Sequence, residues 1–344
     1  MWIVIPSYDI ALDISHSLEK LSPDYFKNII KAGSVEVSDH AIQATLNNRP
    51  LLKNTLIGAA IGLIGVIFFL FAFFILDTRI WDETDLMEKF TLPIIGTIPG
   101  NHFDNSKKNS KPSELVLNKN TSFAISEAYR AARINLFKIA ELTTDNKCKT
   151  FVFTSAKPEE GKTVTSINMA LTLAQSNKKV LLIDADFRKP QVRNYMQIPD
   201  NSSFIDYLGG YIDYVDILEL DDAPLHILAT ATSHPYPAEL LSTERMWSLI
   251  ERFKESFDYI IIDTPPLEYV IDAAVISNIT DGYVIVSRAG FSRSGQVVET
   301  VRKLEQLNAT VSGFILNDID PKRCGLGSRY HIYNYTEKYE PYYR

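Results

Sequence analysis

The apolar positions of this chain fall into three patterns, and each predicts a different kind of element. The first is one long run, Thr55 to Leu76, with no charged residue in it. As a helix rising ~1.5 Å per residue, such a run crosses a hydrocarbon layer of ~30 Å, so a transmembrane helix is expected over residues 54–76. The second pattern is a set of short runs that are apolar throughout: Phe151 to Phe153, Val180 to Ile183, Tyr259 to Ile262, Gly282 to Ser287 and Val311 to Leu316. Strands of that kind belong in a parallel sheet covered on both faces. Helical stretches lie between them, at Ser122 to Ala140, Ile167 to Gln175 and Val297 to Leu307. The alternation predicts an α/β fold, a parallel sheet with helices on both faces, preceded by the transmembrane helix. The third pattern is polar. Asn101 to Asn120, with Lys107, Lys108, Lys111 and Lys119, reads as a flexible linker. Tyr330 to Arg344 has few aliphatic residues and reads as a disordered tail.

The stretch ahead of the long run is less regular. Met1 to Ile5 is apolar but Pro6 ends it, so it is too short for a signal peptide. Ser22-Pro23 suits a helix start, as cap and first helical residue, with Phe26, Ile29 and Ile30 on one face. Lys31 to Val37 looks like a turn into a strand, and Asp77 to Pro99 like a short connector.

Chemistry enters at the ends of the strands. The run Phe151 to Phe153 leads into Thr154-Ser155-Ala156-Lys157-Pro158-Glu159-Glu160-Gly161-Lys162-Thr163-Val164, and a helix follows. Strand, tight loop, Gly-Lys-Thr and helix form the context of a phosphate-binding P-loop, although Ala156 stands where the pattern has its first glycine. A helix start offers unpaired N–H groups and a positive dipole end to phosphate. Gly161 lets the backbone approach closely, Lys162 reaches the β- and γ-phosphates, and the Thr163 hydroxyl suits Mg²⁺. Glu160 and Val164 complete the expected ATP-binding stretch. Two further strands end in carboxylates, at Asp184-Ala185-Asp186 and at Asp263-Thr264-Pro265-Pro266. Ligands of open α/β sheets bind at such ends, and carboxylate oxygen is the ligand type Mg²⁺ prefers. Loop and carboxylates together read as an ATP–Mg²⁺ site in a P-loop NTPase-type sheet.

Charge and cysteine narrow the class. A net charge of −7 over 344 residues argues against a protein held to nucleic acid by phosphate contacts. Cys148 and Cys324 have no metal-binding spacing and read as reduced thiols. Basic residues do not orient the apolar helix, because Arg49 and Lys53 flank one end and Arg79 and Lys89 the other. ATP is cytoplasmic, so residues 77–344 are expected inside and the N-terminus outside.

Ser155 to Pro190 and Phe257 to Ala273 resemble the bacterial tyrosine kinases (BY-kinases) that accompany capsular and exopolysaccharide synthesis. Pro158 to Thr163, Asp184-Ala185-Asp186-Phe187-Arg188-Lys189-Pro190 and Asp263 to Pro266 with Asp272-Ala273 carry the resemblance. The middle motif sets the kinases apart from other P-loop proteins. The resemblance implies a tyrosine kinase domain over residues 122–320, a connector over 77–121 and a tyrosine-rich tail over 321–344. Residues 1–53 resemble the end of a chain-length-determinant domain that is normally larger and preceded by another membrane helix, so a truncated or split version is expected. Lys162, Asp184, Asp186 and Asp263 would be catalytic, with Thr163, Asp184 and Asp263 around the metal. Asp184 would act as the base. Glu127, Arg130 and Arg133, spaced by three, would form a subunit contact in a ring-like homo-oligomer. Tyr330, Tyr333, Tyr335, Tyr339, Tyr342 and Tyr343 would be the phosphoacceptors. The implied partners are the polysaccharide polymerase and export machinery and a tyrosine phosphatase. Glu159, Arg193, Ser203 and Ala231 depart from the family pattern, which usually has Gly, His, Gly and Gly there. Two rivals stay open: a positioning ATPase of the MinD/ParA type, which Lys157 favours, and a non-catalytic nucleotide-binding regulator of polysaccharide assembly.

Overall fold

Each short apolar run becomes a strand whose alternate side chains feed two separate cores. The computed structural model describes residues 8–30, 51–100, 116–118, 121–143, 146–199, 203–220, 223–230, 232–268 and 275–320. The chain divides into two units, Met1–Leu76 and Asp77–Arg344.

The first unit contains α1 (Tyr8–Ile30) and α2 (Leu51–Leu76). Residues Leu52–Leu76 of α2 are long and apolar enough to cross a membrane, and none of them is buried against protein. The expected helix start at Ser22-Pro23 is corrected, because α1 runs through Pro23. Proline removes one intrahelical hydrogen bond, whereas Ile10, Ile14, Leu18, Leu21 and Tyr25 keep one exposed helical stripe on both sides of it. The strand expected near Val35 lies outside the described residues.

In the second unit come α3 (Glu83–Met87), β1 (Ile94–Pro99), α4 (Phe123–Thr143), β2 (Lys149–Ser155), α5 (Lys162–Ala174) and β3 (Val180–Asp184). They are followed by α6 (Val192–Met196), α7 (Ser203–Leu208), β4 (Leu218–Glu219), β5 (Leu225–Leu228), α8 (Pro237–Leu241) and α9 (Glu244–Lys254). The last elements are β6 (Tyr259–Asp263), β7 (Gly282–Arg288), α10 (Ser294–Gln306) and β8 (Val311–Ile319). The strands form one sheet in the order β1-β8-β7-β2-β6-β3-β5-β4. Every pairing is parallel except that of the short edge strand β4 with β5.

Alternation along the strands sorts the core. Val152, Leu181, Ile183, Ile260, Ile262 and Ile285 face one side, where α7, α9 and α10 pack. Phe151, Phe153, Leu182, Ile261 and Val284 face the other, under α4 and α5. On α9, Thr243 caps the first turn by accepting from the Met246 N–H at 3.2 Å. Its buried stripe of Met246, Leu249, Ile250 and Phe253 removes apolar surface worth ~1.5–3 kcal/mol per side chain.

One expected boundary moves. Residues 77–100 are not merely a connector, because β1 pairs in parallel with β8 through Ile94↔Phe314 and Thr97↔Leu316. Ahead of β1, Ile80 and Leu86 are buried in the first core. Gly313, at φ 146°, lets β8 pass so close to Pro93 that a Cβ there would stand 2.3 Å from the Pro93 carbonyl oxygen. The proline and glycine in Leu92 to Pro99 hide a strand whose partner is remote in sequence.

Candidate active site

The carboxyl ends of β2, β6 and β3 are neighbours, and each delivers one part of the site. β2 ends in the phosphate loop, β6 in Asp263 and β3 in Asp184. Register sets Asp184 directly beside Asp263, and Asp263 beside Phe153. The loops beyond are tied together: Thr264 N–H donates to the Phe153 carbonyl (3.1 Å), and Leu267 N–H to the Ser155 carbonyl (2.9 Å).

In the phosphate loop, Gly161 has φ 88° and precedes α5 with no side chain capping that helix start. A Cβ at Gly161 would also sit 2.1 Å from Asn317 Nδ2, so both backbone and space require glycine. Lys162 follows, buried. Its Nζ donates to Asp186 Oδ2 at 2.8 Å, to Thr163 Oγ1 at 3.2 Å and, at the long limit, to Asp263 Oδ2 at 3.4 Å. Thr163 Oγ1 donates to Asp263 Oδ2 at 2.7 Å. Asp184 is fully buried and accepts from the Asp186 N–H (3.2 Å) and the Val192 N–H (3.1 Å). Five of the residues expected from the sequence, Lys162, Thr163, Asp184, Asp186 and Asp263, therefore meet. Glu160 is buried in the loop, and Val164 lies half-buried on the first turn of α5.

Three carboxylates around one ammonium dominate the electrostatics. Burial, then the facing Asp263 carboxylate, pushes Asp184 well above the ordinary carboxylate range. Burial also raises Asp263, with Lys162 opposing and Asp186 adding. For Lys162, burial acts downward, but the Asp263 and Asp186 carboxylates outweigh it and the net direction is up.

The donor set fits Mg²⁺. All the oxygens on offer are hydroxyl or carboxylate, and Asp263 Oδ1 is buried with no hydrogen-bond partner among the described residues. No cage of three or more His, Cys, Asp or Glu side chains is found among those residues. Mg²⁺ is usually held by one or two carboxylates and a substrate's phosphates.

Other sequence-predicted residues sit apart. On α4, Arg130 pairs with Glu127 and is exposed. Arg133 instead turns inward and donates from Nη1 to the Thr172 carbonyl of α5 at 2.8 Å. The six tail tyrosines, the polar linker 101–115, Asp272-Ala273 and Ala231 lie outside the described residues. Sequence reasoning also missed three residues that touch the phosphate loop: Arg288 and Asn317 donate to the carbonyls of Glu159 (3.4 Å) and Glu160 (3.3 Å), and Ser292 donates to the Glu160 carboxylate. The one available signal was their position just past two predicted strands.

Residues 148–312 match the family described as AAA domain. The chain is 30% identical over 249 residues to the tyrosine-protein kinase ptk of Acinetobacter johnsonii, which covers 71% of this chain and 34% of that protein. To the tyrosine-protein kinase CpsD of Streptococcus agalactiae it is 37% identical over 174 residues, 50% of this chain and 75% of CpsD. The chain belongs to the bacterial tyrosine-protein kinase family. The structure of the kinase domain of Escherichia coli tyrosine kinase ETK matches with a TM-score of 0.60 at 28% identity, covering 71% of this chain and 96% of that domain. This chain spans about a third of the length of the Acinetobacter kinase, 34%. Against the BY-kinase pattern, three of the unusual residues have visible surroundings. Glu159 occupies a left-handed backbone position, φ 68°, where glycine is unstrained. Arg193 donates from Nε to the Ile198 carbonyl at 3.3 Å. Ser203 accepts from the Asp216 N–H.

Proposed function

We propose that this chain is a membrane-anchored kinase that moves the γ-phosphoryl group of ATP to tyrosine, including the tyrosines of its own C-terminal segment. The observation that carries the reading is the buried group of Lys162, Thr163, Asp184, Asp186 and Asp263 at adjoining strand ends, directly below an uncapped helix start. Backbone N–H groups of the loop and the Lys162 ammonium bind the phosphates. Thr163 and Asp263 would hold Mg²⁺, which neutralises charge on the phosphates when bound. Asp186 orients Lys162. Asp184, whose affinity for a proton is raised by burial and by Asp263, takes the phenolic proton as the tyrosine oxygen bonds to phosphorus and ADP leaves. Positioning and charge stabilisation of this kind are the main demands of phosphoryl transfer.

Helix α2 is the anchor, with residues 77–344 on the ATP-containing side and the N-terminus outside. The exposed Glu127–Arg130 pair belongs to a subunit contact in a ring-like homo-oligomer. Tyr330, Tyr333, Tyr335, Tyr339, Tyr342 and Tyr343 are the acceptors, reversed by a phosphatase, and the cycle regulates the machinery that polymerises and exports a capsular or exopolysaccharide. The test uses the full chain in detergent micelles with Mg–ATP, read by anti-phosphotyrosine blot and mass spectrometry. Wild type is expected to gain phosphate on tail tyrosines, and Lys162→Met to lose at least ~99% of the signal, in line with electrostatic contributions of this size to catalysis. Undiminished phosphotyrosine in folded Lys162→Met would remove this cluster from the chemistry.

A further inference from the structure

The phosphate loop is held from outside as well as from below, and the hold runs through a buried carboxylate with no direct part in the chemistry above. Glu160 is 1% exposed and Ser292 is 0% exposed. Glu160 Oε2 accepts from the Lys157 N–H at 2.7 Å, and Oε1 accepts from the Ser292 hydroxyl. Ser292 Oγ in turn accepts from the Arg288 N–H at 2.7 Å. The turn carrying Ser292 is fixed on its far side by chain that precedes β1. Ile80 N–H donates to the Ser292 carbonyl (2.9 Å), Gly290 N–H to the Ile80 carbonyl (2.7 Å) and Ser294 N–H to the Thr78 carbonyl (2.9 Å). The Trp81 ring closes over Gly290, where a Cβ would meet it at 2.7 Å.

We propose that Ser292 is a positioning residue for nucleotide: its hydroxyl aims the Glu160 carboxylate, and Glu160 holds the Lys157 N–H. The backbone from Lys157 to Lys162 thereby keeps the opening that a nucleoside diphosphate's phosphates fill. A carboxylate this close to a phosphate site repels the ligand if it turns inward. With both oxygens occupied by the Lys157 N–H and the Ser292 hydroxyl, Glu160 is held in place and serves as a strut. Burial pushes the pKa of the Glu160 carboxyl up to about 7, with the Lys157 N–H and Ser292 opposing, so the strut depends on these partners to stay in place. Ser292 acts only through Glu160 and touches neither substrate nor reacting atoms.

The inference rests on the loop being a nucleotide site, and the experiment separates the two. Full chain in detergent micelles is titrated with fluorescent Mg–ADP analogue, and KM and kcat for ATP are measured alongside. Ser292→Ala is expected to weaken Mg–ADP binding and raise KM about tenfold, the scale of one lost hydrogen bond to a charged group, with kcat within about threefold. Glu160→Gln is expected to give a similar loss, and the double variant to be no worse than the weaker single, because the two residues act as one unit. If wild type does not bind Mg–ADP, the nucleotide reading itself fails. If wild type binds and Ser292→Ala has unchanged affinity, or the two losses add, Ser292 is no positioning residue. Should Ser292→Ala not fold, Glu160→Gln decides alone, and unchanged affinity there overturns the proposal.

Discussion

Lys162 is both the cation proposed to meet phosphate and, among the described residues, the only ammonium within hydrogen-bond reach of Asp186 and Asp263. Its removal therefore has a stability signature as well as a catalytic one. Breaking a buried ion pair costs about 3–5 kcal/mol, so Lys162→Met is expected to lose roughly that at neutral pH. The pH dependence has a fixed sign. Burial raises Asp184 and Asp263 above the ordinary carboxylate range, so the folded state holds protons that the unfolded chain gives up. The stability these two groups contribute is complete at acid pH and is lost as pH rises through their raised values. Without Lys162 to oppose it, the loss steepens, and the variant should approach wild-type stability on acidification. Thermal melts of both proteins at pH 5 and pH 8 check this, and an equal gap at the two pH values would contradict it. Glu159 is the residue-scale counterpart that the sequence could only flag. Its place in the loop was legible, but the left-handed backbone, φ 68°, that makes a side chain awkward there was not.

At the scale of elements, α4 shows what a helical period reveals and what it hides. Tyr129, Ala132, Leu136 and Ala140 form its buried stripe. The three-residue spacing of Glu127, Arg130 and Arg133 placed all three on one surface, yet Arg133 is spent on the Thr172 carbonyl. Burial, then Arg130, lowers its pKa, as expected of a guanidinium drawn into protein. Arg133→Ala should cost about 1–3 kcal/mol by stranding that carbonyl, whereas Arg130→Ala should stay within about 0.5 kcal/mol because its pair is exposed. Denaturant melts distinguish them, and equal losses would put Arg133 back on the open surface. The same logic explains how much of the site could be read in advance. β2, β3 and β6, the phosphate loop and the strand-end aspartates are local patterns, each complete within a dozen or so residues, and all appear where expected. β1 escaped because Pro93 and Gly96 interrupt its run. Ser292 and Asn317 escaped because they reach Glu160 across 132 and 157 residues, a separation at which no local period carries information.

For the whole molecule, the pairing of β1 with β8 joins chain made early to chain made late. Phe314 comes 220 positions after Ile94 (314 − 94). At ~5–20 residues per second, a ribosome needs roughly 10–40 s to cover that distance. During that interval Ile94–Pro99 has α4 beside it, through Asn135 on the Ile95 carbonyl, but no strand partner, since among the described residues only β8 pairs with it, and an open strand edge is a template for association with other chains. Thr78 and Ile80 wait almost as long for Ser292 and Ser294. A chain stopped after Thr310 should therefore keep Ile94–Pro99 open to protease and aggregate, whereas one stopped after Asp320 should protect it. Protection of Ile94–Pro99 in the shorter chain would contradict this. Biosynthesis thus delivers the apolar helix α2 well before the fastener of the segment that follows it.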